Sequence, residues 1–365
     1  MGLSVIFSTK KINEDFITLI KSTCGVHNVE ILPYENPGTH SLNEVYNMGL
    51  EKSTNDIVVF CHDDIKFETK NWGRKILKHF KKNPSFGIVG VAGTRYMSST
   101  GRWWDDFSKM HGAVYHEHEG KKWLTRYSKD TGIKLSEVAL VDGLFFGVSK
   151  NRIVNSFDES VTGFHFYDVE FCFSNYLLDV KIGVCTDIRI THLSIGVTND
   201  EWEKNRSLFA EKHKDVLPVK IKRTFSDNEK FDILFVSESL DDKSISLLLN
   251  LKNMGHNVSV CSQLQPDLVN TLNRNGITNQ PLNSPPGYQI GDGKWVVGSD
   301  KGPVPSENGK MYKLKDVRFD LVHTTENKLV EYMRSFYPAI PQFNSDDDEG
   351  LDGDMIKKYK TVLEW

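Results

Sequence analysis

Apolar residues along this chain fall into short runs divided by polar punctuation, and the runs switch between two periods. Leu3-Ser-Val-Ile-Phe-Ser8, Val29-Glu-Ile-Leu-Pro-Tyr34, Ile57-Val-Val-Phe-Cys61 and Gly87-Ile-Val-Gly-Val-Ala92 are too short for helices and read as strands of a buried sheet. Helical signals lie between them. Asn13 is a good N-cap, and Ser41 with Glu44 forms a capping box ahead of an apolar face made by Leu42, Val45 and Tyr46. Trp72, Ile76 and Phe80 recur at i, i+4, i+8 among lysines, the stripe of a third helix. Such alternation predicts an α/β fold with a mainly parallel sheet flanked by helices on both faces.

The pattern lapses from about Thr94 to Ser136, a segment dense in Trp, His, Tyr and Lys, including Trp103, Trp104 and Trp123. Long irregular segments inside compact domains are usually lids or disordered insertions. The indoles suit a lid, since sugar rings stack their C–H faces on them, but aromatics closing the core over the loop fit equally. Order returns in Glu137 to Val148, read as one strand interrupted at Asp142-Gly143, where a glycine marks close approach by a ligand or another backbone. A helix enters the core within Phe164 to Phe173, carrying Asp168 and Glu170 in its first turn. Short strands near 182–184 and 189–191 lead to His192, and Asp200 to His213 is amphipathic.

Lys220 to Lys230 is polar and basic, as a linker would be. Domains are therefore expected at 1–222 and 231–365, joined by 223–230. The second, smaller one begins strand–helix–strand with Phe231 to Val236, a helix from about Lys243 to Met254 ended by Gly255, and Asn257 to Cys261, a Rossmann-like start. A helix from Pro266 to Asn275, loop or hairpin material over 279–310, and a strand at Phe319 to His323 follow. It carries no phosphate fingerprint, Asp292-Gly-Lys294 being no P-loop. The acidic run Asp346 to Glu349 reads as a solvated turn.

Composition narrows the classes. A net charge of −4 argues against general nucleic-acid binding. No 20-residue apolar span suggests a membrane helix, and the apolar run at Leu3 to Phe7 is too short for a signal peptide. Ile6 stands where a myristoylation signal after Gly2 wants Ser or Thr. Five cysteines without a C-x-x-C pair read as buried free thiols, which makes the cytoplasm the default address.

The buried run Ile57 to Cys61 leads straight into His62, Asp63 and Asp64. In open α/β sheets ligands gather at the carboxyl ends of strands. Acids there can also cap the next helix, Asp168 can be a helix-start charge, and His192 a satisfied strand-end group. For all three clusters in one domain those readings must coincide. Carboxylates with an imidazole suit Mn²⁺ or Mg²⁺ better than structural zinc.

Taken in order, Ser4-Val-Ile-Phe-Ser8, Glu35, Asn43-Glu-Val-Tyr-Asn-Met-Gly49, His62-Asp-Asp64, Trp72-Gly73, Val89-Gly-Val-Ala-Gly93, Val141-Asp-Gly143, Phe164 to Cys172 and His192 resemble the family-2 glycosyltransferases. The likeness is strongest to their bacterial glycosyltransferase-like subgroup and covers about residues 1 to 215. It implies a GT-A fold that takes a nucleotide-sugar donor, UDP-sugar favoured, and a glycan, lipid-linked or protein acceptor. By the same resemblance Ser8 and Glu35 hold the nucleoside, and Asp64 is the last acid of a D-x-D motif that binds Mn²⁺ or Mg²⁺ on the diphosphate. His62 replaces the first acid of that motif and would touch metal or ribose, with Asp63 between them. Asp142 and Gly143 form the donor–acceptor floor, Asp168 is the general base with Glu170 as second candidate, and His192 reaches the metal or diphosphate. Lipid-linked acceptors would bring the protein to the inner face of the membrane. The second domain faintly resembles the N-terminal half of a GT-B glycosyltransferase and reads as an accessory unit.

Two other readings stand beside this one. A nucleotidyltransferase on a related fold would want glycines in the loop after the first strand, and Ser8-Thr-Lys-Lys-Ile-Asn13 has none. A catalytically silent nucleotide- or carbohydrate-binding module is compatible with His62 at the motif's first position.

Overall fold

In the computed structural model the five-residue run Ile57–Cys61 faces two cores at once. Ile57, Val59 and Cys61 pack with Val5, Phe7, Ile20 and Trp72 on one side, while Val58 and Phe60 pack with Ile6, Val45 and Phe171 on the other. Period-two alternation with both faces covered explains why the run is apolar throughout. The structure describes residues 2–128, 131–194, 196, 198–226, 228–282, 288–290, 294–296, 319–336, 340–346, 351 and 354–364. It divides into two compact units, Met1–Thr224 and Phe225–Trp365.

The first unit opens with β1 (Ser4–Thr9), α1 (Glu14–Cys24), β2 (Glu30–Glu35), α2 (Leu42–Lys52), β3 (Ile57–Cys61) and β4 (Ile65–Phe67). Asn13 caps α1 through the Asp15 amide, and the Ser41–Glu44 capping box starts α2. Next come α3 (Trp72–Lys82), β5 (Phe86–Gly90), β6 (Ala92–Thr94), β7 (Tyr96–Met97), β8 (Met110–His118), β9 (Lys121–Arg126), β10 (Leu135–Val138), β11 (Leu140–Val141) and β12 (Phe145–Ser149). The unit closes with α4 (Tyr167–Tyr176), β13 (Lys181–Cys185), β14 (Ile190–His192), α5 (Asp200–Lys212) and β15 (Val219–Lys220).

Seven strands form the main sheet in the order β10-β13-β5-β12-β3-β1-β2. The pairs β2–β1, β1–β3 and β5–β13 are parallel, whereas β12 lies antiparallel between β3 and β5, and β10 is an antiparallel edge. A second sheet runs β11-β6-β8-β14-β4, with β9 paired to β8. The segment 94–136, irregular in the sequence reading, therefore contains a β-hairpin. Its strand β8 changes partners at Gly112 (φ 97°), pairing with β6 up to and including that residue and with β9 and β14 after it. Neither half is long enough to show its own period. The stretch 137–148 is likewise three strands, because β11 leaves the main sheet to join β6.

The second unit comprises β16 (Asp232–Val236), α6 (Asp242–Asn253), β17 (Asn257–Cys261), α7 (Pro266–Arg274), β18 (Thr278–Gln280) and a hairpin of β19 (Tyr288–Ile290) with β20 (Lys294–Val296). Then follow β21 (Leu321–Thr324), α8 (Asn327–Phe336), β22 (Gln342–Asn344) and α9 (Met355–Leu363). All four pairings of its sheet, β18-β17-β16-β21-β22, are parallel, so the first strand is central as in Rossmann-like folds. Asp346 accepts from the Asn327 amide at the start of α8 (3.3 Å), while residues 347–349 of the acidic run and Asp292 lie outside the described residues. All five cysteines are buried and unpaired. Among the described residues no helix is long and apolar enough to cross a membrane.

Candidate active site

Strand register brings the first group of side chains together. His62 follows β3 and Asp64 precedes β4, and β4 pairs antiparallel with β14 so that Ile65 faces His192. The Leu193 amide donates to the Asp64 carbonyl (2.9 Å), fixing this junction. Asp64 Oδ1 then lies 3.4 Å from His192 Nε2 and 3.7 Å from His62 Nδ1. One ligand atom from each of the three residues falls within 4.8 Å of the others, as a shared metal requires. Burial alone would raise the Asp64 pKa, but the His192 hydrogen bond and charge, then His62, outweigh it and hold the carboxyl at about 2. Burial lowers the His62 pKa, against the pull of the Asp64 charge, which favours the neutral imidazole that a metal ligand needs. His62 Nε2 sits 2.9 Å from the Tyr167 hydroxyl, so a proton on Nε2 donated to that oxygen leaves Nδ1 facing Asp64 with its lone pair. The donor set fits a divalent cation.

A second group forms where α4 meets the turn between β11 and β12. Asp168 Oδ2 accepts from the Gly143 amide at 2.7 Å. Gly143 has to be glycine, since a Cβ there would run into the Tyr167 hydroxyl and crowd the Asp168 side chain. Asp142 accepts from the Leu144 amide (2.9 Å), and the Leu144 carbonyl accepts from the His62 amide (3.1 Å), so this turn touches both groups. Asp168 keeps some solvent access, yet burial first and the Asp142 charge second push its carboxyl up to about 7, against the Gly143 hydrogen bond. A carboxyl poised near neutrality is suited to exchanging a proton with a bound hydroxyl. Phe166, the N-cap of α4, is held in the left-handed region at φ 67°, a conformation costing about 1 kcal/mol or more for a non-glycine residue.

A sequence model of the glycosyltransferase-like family matches residues 12–213, more than half of the chain. The chain belongs to that family. It is a glycosyltransferase, and its first unit has the α/β make-up expected from its sequence. Comparison with curated proteins gives no match. Among solved structures, similarity extends to A197 from STIV at 14% identity and TM-score 0.33, over 53% of this chain and 87% of that one. It extends also to GalNAc-T7 with UDP, GalNAc and Mn²⁺ at 10% identity and TM-score 0.40, over 59% of this chain and 50% of the other. A mannosyltransferase from Pyrobaculum calidifontis in complex with GDP-Man and Mn²⁺ aligns at 10% identity and TM-score 0.35, over 59% and 70%.

The remaining candidate residues of this glycosyltransferase fall in different places. Ile6 pairs with Phe60, so Ser8 and His62, each two residues further on, end neighbouring strands at one edge of the sheet. Glu35 ends β2 opposite Thr9 and accepts from the Ile12 amide at 3.3 Å. Asp63 is exposed. Glu170 does not join Asp168. It is buried on the other side of α4, where its two oxygens take Lys212 Nζ (2.6 Å) and His213 Nε2 (3.0 Å) and tie α4 to α5. A second His/Cys/Asp group, His79, Cys185 and Asp187, also has the spacing of a cation site, but the Asp187 carboxylate is taken by His79 (2.7 Å) and Lys75 (3.4 Å).

Four side chains near the site have no role of their own in the sequence reading. Tyr167 lies within the motif Phe164 to Cys172, where the resemblance gives it no part. His116 pairs with His192 across β8 and β14, stacks on Trp123 (5.6 Å between ring centres), and keeps a buried Nδ1 without a hydrogen-bond partner. The alternation through Ala113, Tyr115 and Glu117 would have exposed it had β8 been recognised. Asn43 and Asn47 of the quoted motif pin the loop before α4, donating to the carbonyls of Val161 (2.6 Å) and Phe157 (2.9 Å).

Proposed function

We propose that this glycosyltransferase is metal-dependent and inverting, moving a sugar from a nucleoside-diphosphate donor, UDP-sugar favoured, to a hydroxyl of an acceptor. The observation that carries the proposal is the placement of two carboxylates in separate groups, Asp64 between His62 and His192 and Asp168 against the Gly143 amide. Asp64 is fully ionised between two imidazoles, whereas Asp168 is poised near neutrality in a different pocket built from α4 and Gly143. Inverting displacement wants that division.

Asp64, His62 and His192 would hold Mn²⁺ or Mg²⁺. Bound there, the cation supplies positive charge against the diphosphate as it departs. Two imidazoles beside one carboxylate favour Mn²⁺, since Mg²⁺ prefers an all-oxygen shell. Asp168 takes the proton from the acceptor hydroxyl, the freed oxygen attacks C1 of the sugar from the opposite face, and the C1–O bond to the diphosphate breaks with its electron pair leaving on the nucleotide. Gly143 and Asp142 form the floor between the two partners, and Ser8 and Glu35, at the edge of β1 and β2, receive the nucleoside. In this reading Glu170 is a positioning residue, because its carboxylate is already paired within the fold. A cytoplasmic address suits five free thiols, and the second unit serves as an accessory domain.

The test is a donor screen by mass spectrometry, following nucleotide release with Mn²⁺, with Mg²⁺ and with chelator. Release from a UDP-sugar that requires Mn²⁺ supports the reading. Turnover unaffected by chelator removes the metal from it, and UDP binding without turnover of any donor supports a silent module.

A further inference from the structure

One tryptophan of the pair at 103–104 is buried and the other is not. Trp103 is 8% exposed and belongs to the core, whereas Trp104 keeps 37% of its surface open and leans on Trp202 of α5 with ring centres 5.3 Å apart and planes 31° apart. Arg102, Trp104, Asn199, Asp200, Trp202 and Glu203 surround a cleft of about 330 Å³. An indole left in water loses burial free energy that a small rearrangement of a loose loop would recover. This loop is not loose. Asp105 accepts from the hydroxyls of Ser98 (2.7 Å) and Thr100, and Arg206 of α5 donates to the Thr100 carbonyl. Trp202 in turn touches Phe166 (5.2 Å between ring centres), two residues before Asp168, so the cleft adjoins the start of the helix that carries the candidate base.

The lining selects its occupant. A flat indole face offers contact to the C–H face of a pyranose, and charged groups at the rim offer hydrogen bonds to the ring hydroxyls. Arg102 lies over the Trp202 ring (5.8 Å) and within 3.7 Å of Glu203, whose oxygens Arg206 also engages (2.9 and 3.0 Å), while Asp200 is exposed. A lipid chain would meet the charged groups of Arg102, Asp200 and Glu203, and an extended peptide would find no strand edge in this wall, which is a helix start and a turn. We propose that the cleft is an acceptor subsite for a sugar ring, and hence that the acceptor of this enzyme is a glycan chain. This rests on the assignment of Asp168 and the donor site above.

Saturation-transfer NMR on the full chain, with a panel of neutral-hexose and N-acetylhexosamine oligosaccharides of four to six rings, tests it. At least one saccharide should bind, Trp104→Ala should weaken it about tenfold or more, and Trp104→Phe should retain most of the affinity. Binding of none of the panel, or equal binding by Trp104→Ala, overturns the proposal. So does a peptide or a lipid-linked phosphate analogue whose binding depends on Trp104 while no free saccharide binds. UDP titration with Mn²⁺ in the same samples separates the two readings. Saccharide bound without UDP would refute the donor site alone, and UDP bound without saccharide would refute this subsite alone.

Discussion

Replacing Asp168 by Asn removes the ionisable oxygen and little else. The amide oxygen of Asn can still accept from Gly143, the 2.7 Å contact that seats the side chain. Loss of a general base should lower transfer by about 10²–10⁴-fold while UDP still binds with Mn²⁺. In the wild type, transfer should climb with pH through about 7 and level off above it, since only the ionised carboxylate accepts the proton. The same residue should cost the fold stability. Its carboxyl titrates near 3.8 when unfolded and near 7 when folded, so the native state binds the extra proton between those values. Stability therefore falls as pH rises across that window and stays reduced above it. A shift of this size corresponds to about 4 kcal/mol at most, and solvent reaching the partly exposed group brings the expected gain in the Asn variant to about 1–2 kcal/mol at pH 8. For a unit of this size that is a rise of about 2–6 °C in melting temperature, vanishing near pH 4. Calorimetry at the two pH values and single-turnover transfer at pH 8 give both answers. Transfer within tenfold of wild type, or no pH-dependent rise in melting temperature, would refute the assignment.

Asp64→Ala should abolish the part of UDP affinity that depends on Mn²⁺, measured by calorimetric titration, and leave metal-free nucleotide binding unchanged. Glu170→Ala should destabilise the first unit by about 2 kcal/mol in denaturant unfolding, because buried His213 loses its partner while exposed Lys212 keeps Asp158, yet UDP affinity should hold. Gly143→Ala should lower transfer and melting temperature together, since its methyl group would displace Tyr167. A chain ending at Thr224 should bind UDP as the full chain does, because the candidate donor residues all lie in the first unit; loss of binding with a cooperative melt retained would give the second unit a part in the donor site.

The strands most legible from the sequence were those buried on both faces, although the half-buried edge strand β2 was read as well. Ile57–Cys61 and Asp232–Val236 announce themselves as apolar runs because nothing polar is tolerated on either side. Strand β8 was not legible. It is half-exposed, carries three histidines, and splits its pairing at Gly112, so no single window shows a period. The same limit hid the mixed character of the main sheet: a strand's direction depends on where the chain re-enters, and β12 re-enters antiparallel between β3 and β5. Site residues at strand ends were named from the sequence, but which of them meet is a property of register. Nothing in Arg189 to His192 tells that β14 will lie against β4, and that pairing is what carries His192 to Asp64. Glu170 shows the converse. Two residues from Asp168, it points the other way because successive helix positions differ by about 100°, and Lys212 and His213 claim it.

His62 in place of an acid had been the least expected feature of the motif, and Tyr167 explains how it is accommodated. A carboxylate at that position would face the phenol as an acceptor only. An imidazole has two distinct nitrogens, and the phenol 2.9 Å from Nε2 engages one while the other turns to Asp64. Burial keeps the Tyr167 hydroxyl protonated, so it does not compete for the cation as a phenolate. The same ring packs on Tyr46 of α2 and stands where a side chain on Gly143 would go. Tyr167 directly precedes Asp168, so one residue fixes the orientation of a candidate metal ligand while its neighbour holds the candidate base. The glycine after Asp142, the aromatic in α2 and the histidine after β3 are then requirements of a single hydroxyl. Tyr167→Phe would release His62 without touching Asp168, and the substitution should cost metal affinity before it costs the pH dependence of transfer.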